Sequence, residues 1–179
     1  MIFILRYQKV SFADIGLKKP KSWIKTLAIG IGFAIAILAL FLLFINPIIQ
    51  EFLPIEEKNI DRFVALKGNL PLFLVGITSA VLTAGFGEEI IWRGYIMKHL
   101  AGIFGGRRSS WVIALLLTSV LFGCLHFYQG IVGIVQTGLT GFLLGAIFIL
   151  NGKKSLWINI ITHSVIDIIS LTAIYFGAI

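Results

Sequence analysis

The sequence predicts an all-α membrane protein, a polytopic bundle of about five transmembrane helices with a short interfacial helix before them. Three observations carry that prediction. The chain is 58% hydrophobic and only 13% charged, with a mean hydropathy of +0.99, whereas a soluble domain is closer to half apolar and a quarter charged. Its 179 residues make one domain, and a single core of that size cannot hide such an excess. Uncharged runs about as long as a bilayer is thick recur along it, separated by short polar or basic connections.

The elements follow in order. "MIFIL" is an apolar run of five residues with no basic segment before it and no small-residue cleavage site after it, so it does not read as a secretory signal. Two readings stay open for it, an interfacial anchor or the tail of an earlier span. Residues 1–26 form a basic, interfacial, cytoplasmic segment. Within it Ser11-Phe-Ala-Asp14 has the spacing of a capping box and marks a helix start. From Leu27 to Asn46 no residue is charged, and at 1.5 Å per residue that run gives roughly 30 Å of helix. Asn46-Pro47 reads as its end. After the acid-rich connection 51–69, a second span runs from Leu70 toward Lys98, and "AGIFGGRRSS" is a loop. The third span covers about Trp111 to Tyr128, Gln129-Gly130 is a tight connection, the fourth runs from Ile131 to Leu150, and the fifth from Leu156 to Ala178. The membrane domain is thus 27–179.

Charge sets the orientation. Six of the 15 Lys and Arg lie in residues 1–26, three in 98–108 and two at 153–154, against three in 51–69, where four acids accompany them. With five spans the first three segments share one side, and the excess of basic residues puts the N-terminus in the cytoplasm, most naturally at the plasma membrane. The formal net charge of +7 is then a matter of topology and lipid headgroups, and nucleic acid is excluded as a partner. A single cysteine, Cys124, rules out an internal disulfide and a cysteine-rich zinc site; it reads as a small core residue.

Few acids, basic residues and histidines remain inside the spans: Glu88, Glu89, Arg93, His126, His163 and Asp167. His99, beside Lys98 at a helix end, is interfacial. Glu89 and Arg93 are four apart with the acid first, the favourable order for a helical ion pair. Glu88 points elsewhere and has no local charge partner. Phe122 and His126 stack at i, i+4. Asn159, His163 and Asp167 repeat every four residues and with Ser170 make a polar stripe, which must face other helices or a wet cavity because lipid cannot satisfy it. Interhelical glue accounts for an isolated Glu–Arg pair, and close packing accounts for the Gly138, Gly141, Gly145 face. Glue does not require an extra carboxylate, two histidines and an aspartate, so these groups are expected to meet.

A carboxylate and a histidine can hold and deprotonate a water, and a second histidine with a polar neighbour can stabilise an oxyanion. That suffices for peptide hydrolysis without a covalent enzyme intermediate. The same groups can hold a divalent metal such as zinc, in which case Glu88, His126 and His163 are its ligands. Other intramembrane machineries lack their parts. There is no Gly-x-Ser-x-Gly elbow, no H-E-x-x-H, and only one intramembrane aspartate, so an aspartate dyad cannot be built.

Glu88-Glu89-x-x-x-Arg93, then Phe122-x-x-x-His126, then His163-x-x-x-Asp167 resembles the motif series of the CAAX protease and bacteriocin-processing (Abi) family, which includes the type II CAAX prenyl endopeptidases. The resemblance covers about Leu70 to Ile179. It implies a polytopic intramembrane endopeptidase with 70–179 as catalytic core, acting on a peptide or protein at the bilayer. It further implies that Glu88 and His126 activate the water, that His163 and Asp167 support the oxyanion, and that Glu89 and Arg93, with Asn159 nearby, position the site. Aspartate stands at 167 where the prenyl-protease branch has asparagine. An ionised Asp167 would repel an oxyanion, so it is protonated, orients His163 or binds a metal. Two further readings are a scaffold or immunity protein that keeps the fold without the reaction, and a small transporter or proton relay.

Depth raises one conflict. Counted from the basic ends of their spans, Glu88 and His163 lie about 10 and 8 residues deep and His126 about 16, or roughly 15, 12 and 24 Å. A tilted or displaced third span is required to bring His126 to the others.

Overall fold

Long apolar helices in a chain with few charges have one way to satisfy their backbone in lipid, which is to hydrogen-bond internally and pack side by side. A computed structural model describes residues 11–53 and 60–178, and among them every regular element is helical. Five helices follow one another: α1 Trp23–Phe52, α2 Leu70–Ile103, α3 Arg108–Cys124, α4 Gly130–Leu150 and α5 Trp157–Phe176. α1, α2, α4 with the short turn Phe127–Gln129 before it, and α5 are long and apolar enough to cross a membrane. α3 is apolar but has 17 residues. The interfacial reading of "MIFIL" and part of the acid-rich connection lie outside the described residues.

Several expected boundaries move, each for a local reason. Ser11 and Asp14 do make the reciprocal bonds of a capping box, with the Ser11 amide donating to Asp14 Oδ2 at 2.9 Å and the Asp14 amide to Ser11 Oγ at 3.2 Å. No helix follows, because Gly16 at φ +99° turns the chain away after one turn. The bonds from Ser11 hold the Asp14 carboxyl below its ordinary pKa. α1 begins at Ser22, whose Oγ accepts from the Lys25 amide at 3.4 Å, and it runs through Asn46-Pro47. A π-turn at Phe41–Ile45 shifts the hydrogen-bond register just before Pro47, which then occupies the first turn of the following α-helical segment, where its missing N–H costs nothing. α2 extends to Ile103, so the loop expected at 101–110 shrinks to the turn around Gly105 and Gly106, both at positive φ. α3 stops at Cys124, four residues before the expected end at Tyr128. Cys124 is exposed on the outer face with Leu121 and Leu125, not in the core.

α2 departs from an α-helix over most of its centre. Ala80–Glu88 and Ile90–Met97 are wound as π-helix, with i→i+5 bonds that are rare and concentrate at functional sites.

Packing of α3 on α4 fixes the rest. The glycine face expected on α4 is used for it: Gly138 lies against Gly123 and Ser119, Gly141 against Phe122, and Gly145 against Leu115. A Cβ on Gly123 would sit 2.6 Å from the Ile134 carbonyl oxygen and 3.0 Å from the Gly138 Cα. The main core joins Ile90 and Met97 of α2, Ala114 and Leu115 of α3, Phe148 of α4 and Ile160 of α5. Ile15, 1% exposed, closes this core from the N-terminal turn. The Leu156 amide donates to the Gly16 carbonyl at 2.9 Å, and Lys98 Nζ to the Asp14 carbonyl at 2.6 Å. Lys153 lies over the Trp111 ring and Trp23 against Trp157, so the basic segments gather at one end of the bundle.

Gly123→Ala forces α3 and α4 apart and is expected to cost about 1–3 kcal/mol. Gly102→Ala, where nothing lies within 4 Å, is expected to be neutral or stabilising by up to about 1 kcal/mol. Thermal unfolding of both variants in the same detergent checks the contrast.

Candidate active site

A carboxylate on an apolar helix must find a cation or enough hydrogen bonds, and Glu89 finds both. It is fully buried. Arg93 Nη1 donates to its Oε1 at 2.5 Å, and His163 Nδ1 meets the same oxygen at 2.9 Å. Arg93, also buried, uses Nη2 to donate to the Gly141 carbonyl at 2.7 Å and lies 5.2 Å from the centre of the Phe122 ring. Asn159 Nδ2 donates to the Leu144 carbonyl at 2.6 Å. The Glu89–Arg93 pair expected from spacing therefore exists, and it joins α2 to both α4 and α5.

The remaining expected residues surround this pair. Glu88, partly buried and immediately before Glu89 on α2, lies in the neighbourhood of His163, His126 and Asp167 as well as of Arg93. Asp167 Oδ2 lies 3.8 Å from His163 Nε2, and its side chain keeps 26% of its exposure, so this side of the site is open. His126 Nδ1 lies 2.7 Å from the Phe122 carbonyl oxygen. A carbonyl only accepts, so Nδ1 carries the proton. In the neutral ring Nε2 is then the acceptor.

Depth ceases to be a conflict once the levels of the helices are compared. α3 begins beside the turn that follows α2, where Ser110 Oγ donates to the Phe104 carbonyl. Leu115 is level with Met97 and Gly145, and Phe122 is level with Arg93 and Gly141. Counting from Trp111 therefore starts too high. The helix also ends at Cys124, and the backbone turn that follows brings the His126 ring back to 4.7 Å from that of Phe122. Phe122 itself is 6.3 Å from His163 and 5.5 Å from Trp92, ring centre to ring centre.

Phe122 is thus the hub of the site, a role that the sequence signalled only as an i, i+4 neighbour of His126. The Gly141 and Phe122 carbonyls had no signal at all, since any residue supplies one. Gly85 pressed against Ser164 brings α2 and α5 close enough for Glu89 to reach His163. Among the described residues no group of three His, Cys, Asp and Glu is arranged to hold a metal ion, and no step below is routed through one.

A charged chain of this kind shows in stability. Arg93→Met leaves Glu89 buried without its guanidinium and is expected to cost about 3–5 kcal/mol, while Glu89→Gln combined with Arg93→Met costs clearly less than the sum of the two single changes. A double-mutant cycle by denaturant unfolding in micelles measures the coupling.

Comparison with known proteins adds one finding. The model of a family described as Rce1-like, type II CAAX prenyl endopeptidase, matches residues 70–169, more than half of the chain and a stretch that contains Glu88, His126, His163 and Asp167. No curated protein and no solved structure matches.

Proposed function

Since the chain belongs to the Rce1-like family of type II CAAX prenyl endopeptidases, a family of membrane proteases, we propose that it hydrolyses a peptide bond inside the bilayer with a water activated by Glu88 and His126. The observation that carries this reading is the convergence of Glu88, His126, His163 and Asp167, from three helices, beside the buried Glu89–Arg93 pair.

Each residue has a task that its surroundings support. Glu88 is the carboxylate that Arg93 does not hydrogen-bond, so it can accept a proton from water. His126, its Nδ1–H committed to the Phe122 carbonyl, offers Nε2 to hold that water in line. The water oxygen bonds to the scissile carbonyl carbon as its proton passes to Glu88, and the carbonyl oxygen becomes an oxyanion. His163, its Nδ1 fixed on Glu89, donates from Nε2 to that oxyanion. When the C–N bond breaks, the proton on Glu88 passes to the leaving amine. Asp167 orients His163, which reconciles an acid at this position with an anionic intermediate. Glu89, Arg93 and Asn159 hold the frame.

The substrate is a membrane-associated peptide, of the CAAX type or another. The N-terminus lies in the cytoplasm, the protein sits in the plasma membrane, and the site opens toward the cytoplasmic half, since the basic residues gather at the end nearest Glu88 and His163.

Glu88→Gln and His126→Ala are each expected to lower peptide release in liposomes by about 10²–10⁴-fold, with unfolding temperature unchanged because neither side chain ties two helices together. Release in the presence of a chelator reports directly on metal dependence. Undiminished cleavage by Glu88→Gln would remove it as the base.

A further inference from the structure

The basic end of the bundle carries a pair of lysines that the site around Glu89 does not use. Lys98, on α2, places its Nζ 5.4 Å from the centre of the Phe148 ring. Lys153, in the turn after α4, places its Nζ 5.0 Å from the centre of the Trp111 ring. The two rings adjoin, 6.5 Å apart between centres. Two ammonium groups from different helices thus stand on neighbouring aromatic rings. Both lysines keep part of their exposure, so their stems cover apolar surface while the charged heads stay within reach of the interface.

Neither head has a carboxylate within ion-pair distance among the described residues. Lys98 Nζ donates to a neutral group, the Asp14 carbonyl, at 2.6 Å. The Asp14 carboxylate is in the neighbourhood, but it accepts from the Ser11 hydroxyl at 2.6 Å and the Ser11 amide at 2.9 Å. Lys18 lies in that neighbourhood too. Three lysines therefore gather around a single acid that is already bonded elsewhere.

Backbone strain singles out Lys153. Its φ of +61° is positive, alone among the described residues other than glycine. The turn closes α4 as the Lys153 amide donates to the Phe148 carbonyl at 3.0 Å, and a glycine or asparagine there would serve that purpose. A β-carbon in this conformation carries a cost, and strain of that kind collects where the position of a side chain is used.

We propose that Lys98 and Lys153, with Lys18 beside them, bind the phosphate of an anionic phospholipid at the basic end of the bundle. Ammonium groups without carboxylate partners attract a phosphodiester. Trp111, with Trp23 and Trp157 at the same end, puts the lysines at headgroup level, where such rings concentrate. Val112 and Leu116, exposed next to Trp111 on α3, offer apolar surface to the acyl chains. A soluble phosphate has the same charge and none of the chains. The site does not depend on the peptidase reading.

The test is native mass spectrometry of the full chain released from neutral micelles, with phosphatidylglycerol titrated in parallel with phosphatidylcholine. The anionic lipid is expected to bind more tightly. Lys98→Gln and Lys153→Gln are each expected to weaken its binding about tenfold, the worth of one charge-assisted contact, and to leave phosphatidylcholine unaffected. Lys154→Gln removes the same charge one residue further on, at an exposed position, and is expected to bind as the unsubstituted protein does. Lys153→Gly relieves the turn, so it should unfold no earlier than the unsubstituted protein in lipid-free micelles and yet lose its preference for the anionic lipid. Equal affinity for the two lipids would overturn the proposal. So would equal weakening by Lys153→Gln and Lys154→Gln, which marks diffuse attraction to a basic surface, or a preference that survives in Lys153→Gly. Displacement of the lipid by an equal concentration of inorganic phosphate would show a site for free anions instead.

Discussion

One buried carboxylate organises the molecule. Glu89 has no exposure, and a charge in that position is tolerable only with its partners in place. Arg93 neutralises it and reaches on to the Gly141 carbonyl, and His163 meets the same oxygen from α5. Three helices are thereby held in one register. The same contacts determine which carboxylate is left over. Because the hydrogen bonds of Arg93 go to Glu89 and to the Gly141 carbonyl, Glu88 is left beside the two histidines and Asp167 without a hydrogen bond to the guanidinium.

The geometry of α3 shows how a short helix serves such a site. α3 does not run on to the end expected at Tyr128. Ending at Cys124 and turning through Phe127–Gln129 into α4, the chain folds His126 back on Phe122 instead. The aromatic ring then neighbours both imidazoles, 4.7 Å from that of His126 and 6.3 Å from that of His163 between ring centres. Close passage of Gly123 by α4 makes the turn narrow enough for this.

Much of this was legible beforehand, and for physical reasons. Hydropathy locates helices well in lipid because nothing but internal hydrogen bonding satisfies their backbone; the starts of α2 and α5 fall within a residue of expectation. The Glu89–Arg93 pair follows from spacing alone. The glycine face of α4 was also readable, since small residues are what close helix packing requires. Other features depend on tertiary geometry. Whether Asn46-Pro47 ends a helix depends on a π-turn one residue earlier, which no composition marks. Cys124 looks like core by type and is exposed because it falls on the outward face of α3 with Leu121. Depth counted along a span cannot locate His126 when the span starts above the others. The position of Asp167 opposite Glu89 across one imidazole is likewise invisible in a linear motif, which lists both acids but not that they share a neighbour.

The N-terminal turn has a bearing on biosynthesis. Asp14, Ile15 and Gly16 dock on Lys98, Gly94 and Leu156, residues made some 80 to 140 positions later in the chain. The first described segment to leave the ribosome is therefore among the last to find its seat, and it does so only after α2 and α5 stand side by side. Its seating marks a finished molecule, so a protease or label directed at residues 11–17 would distinguish nascent from mature copies.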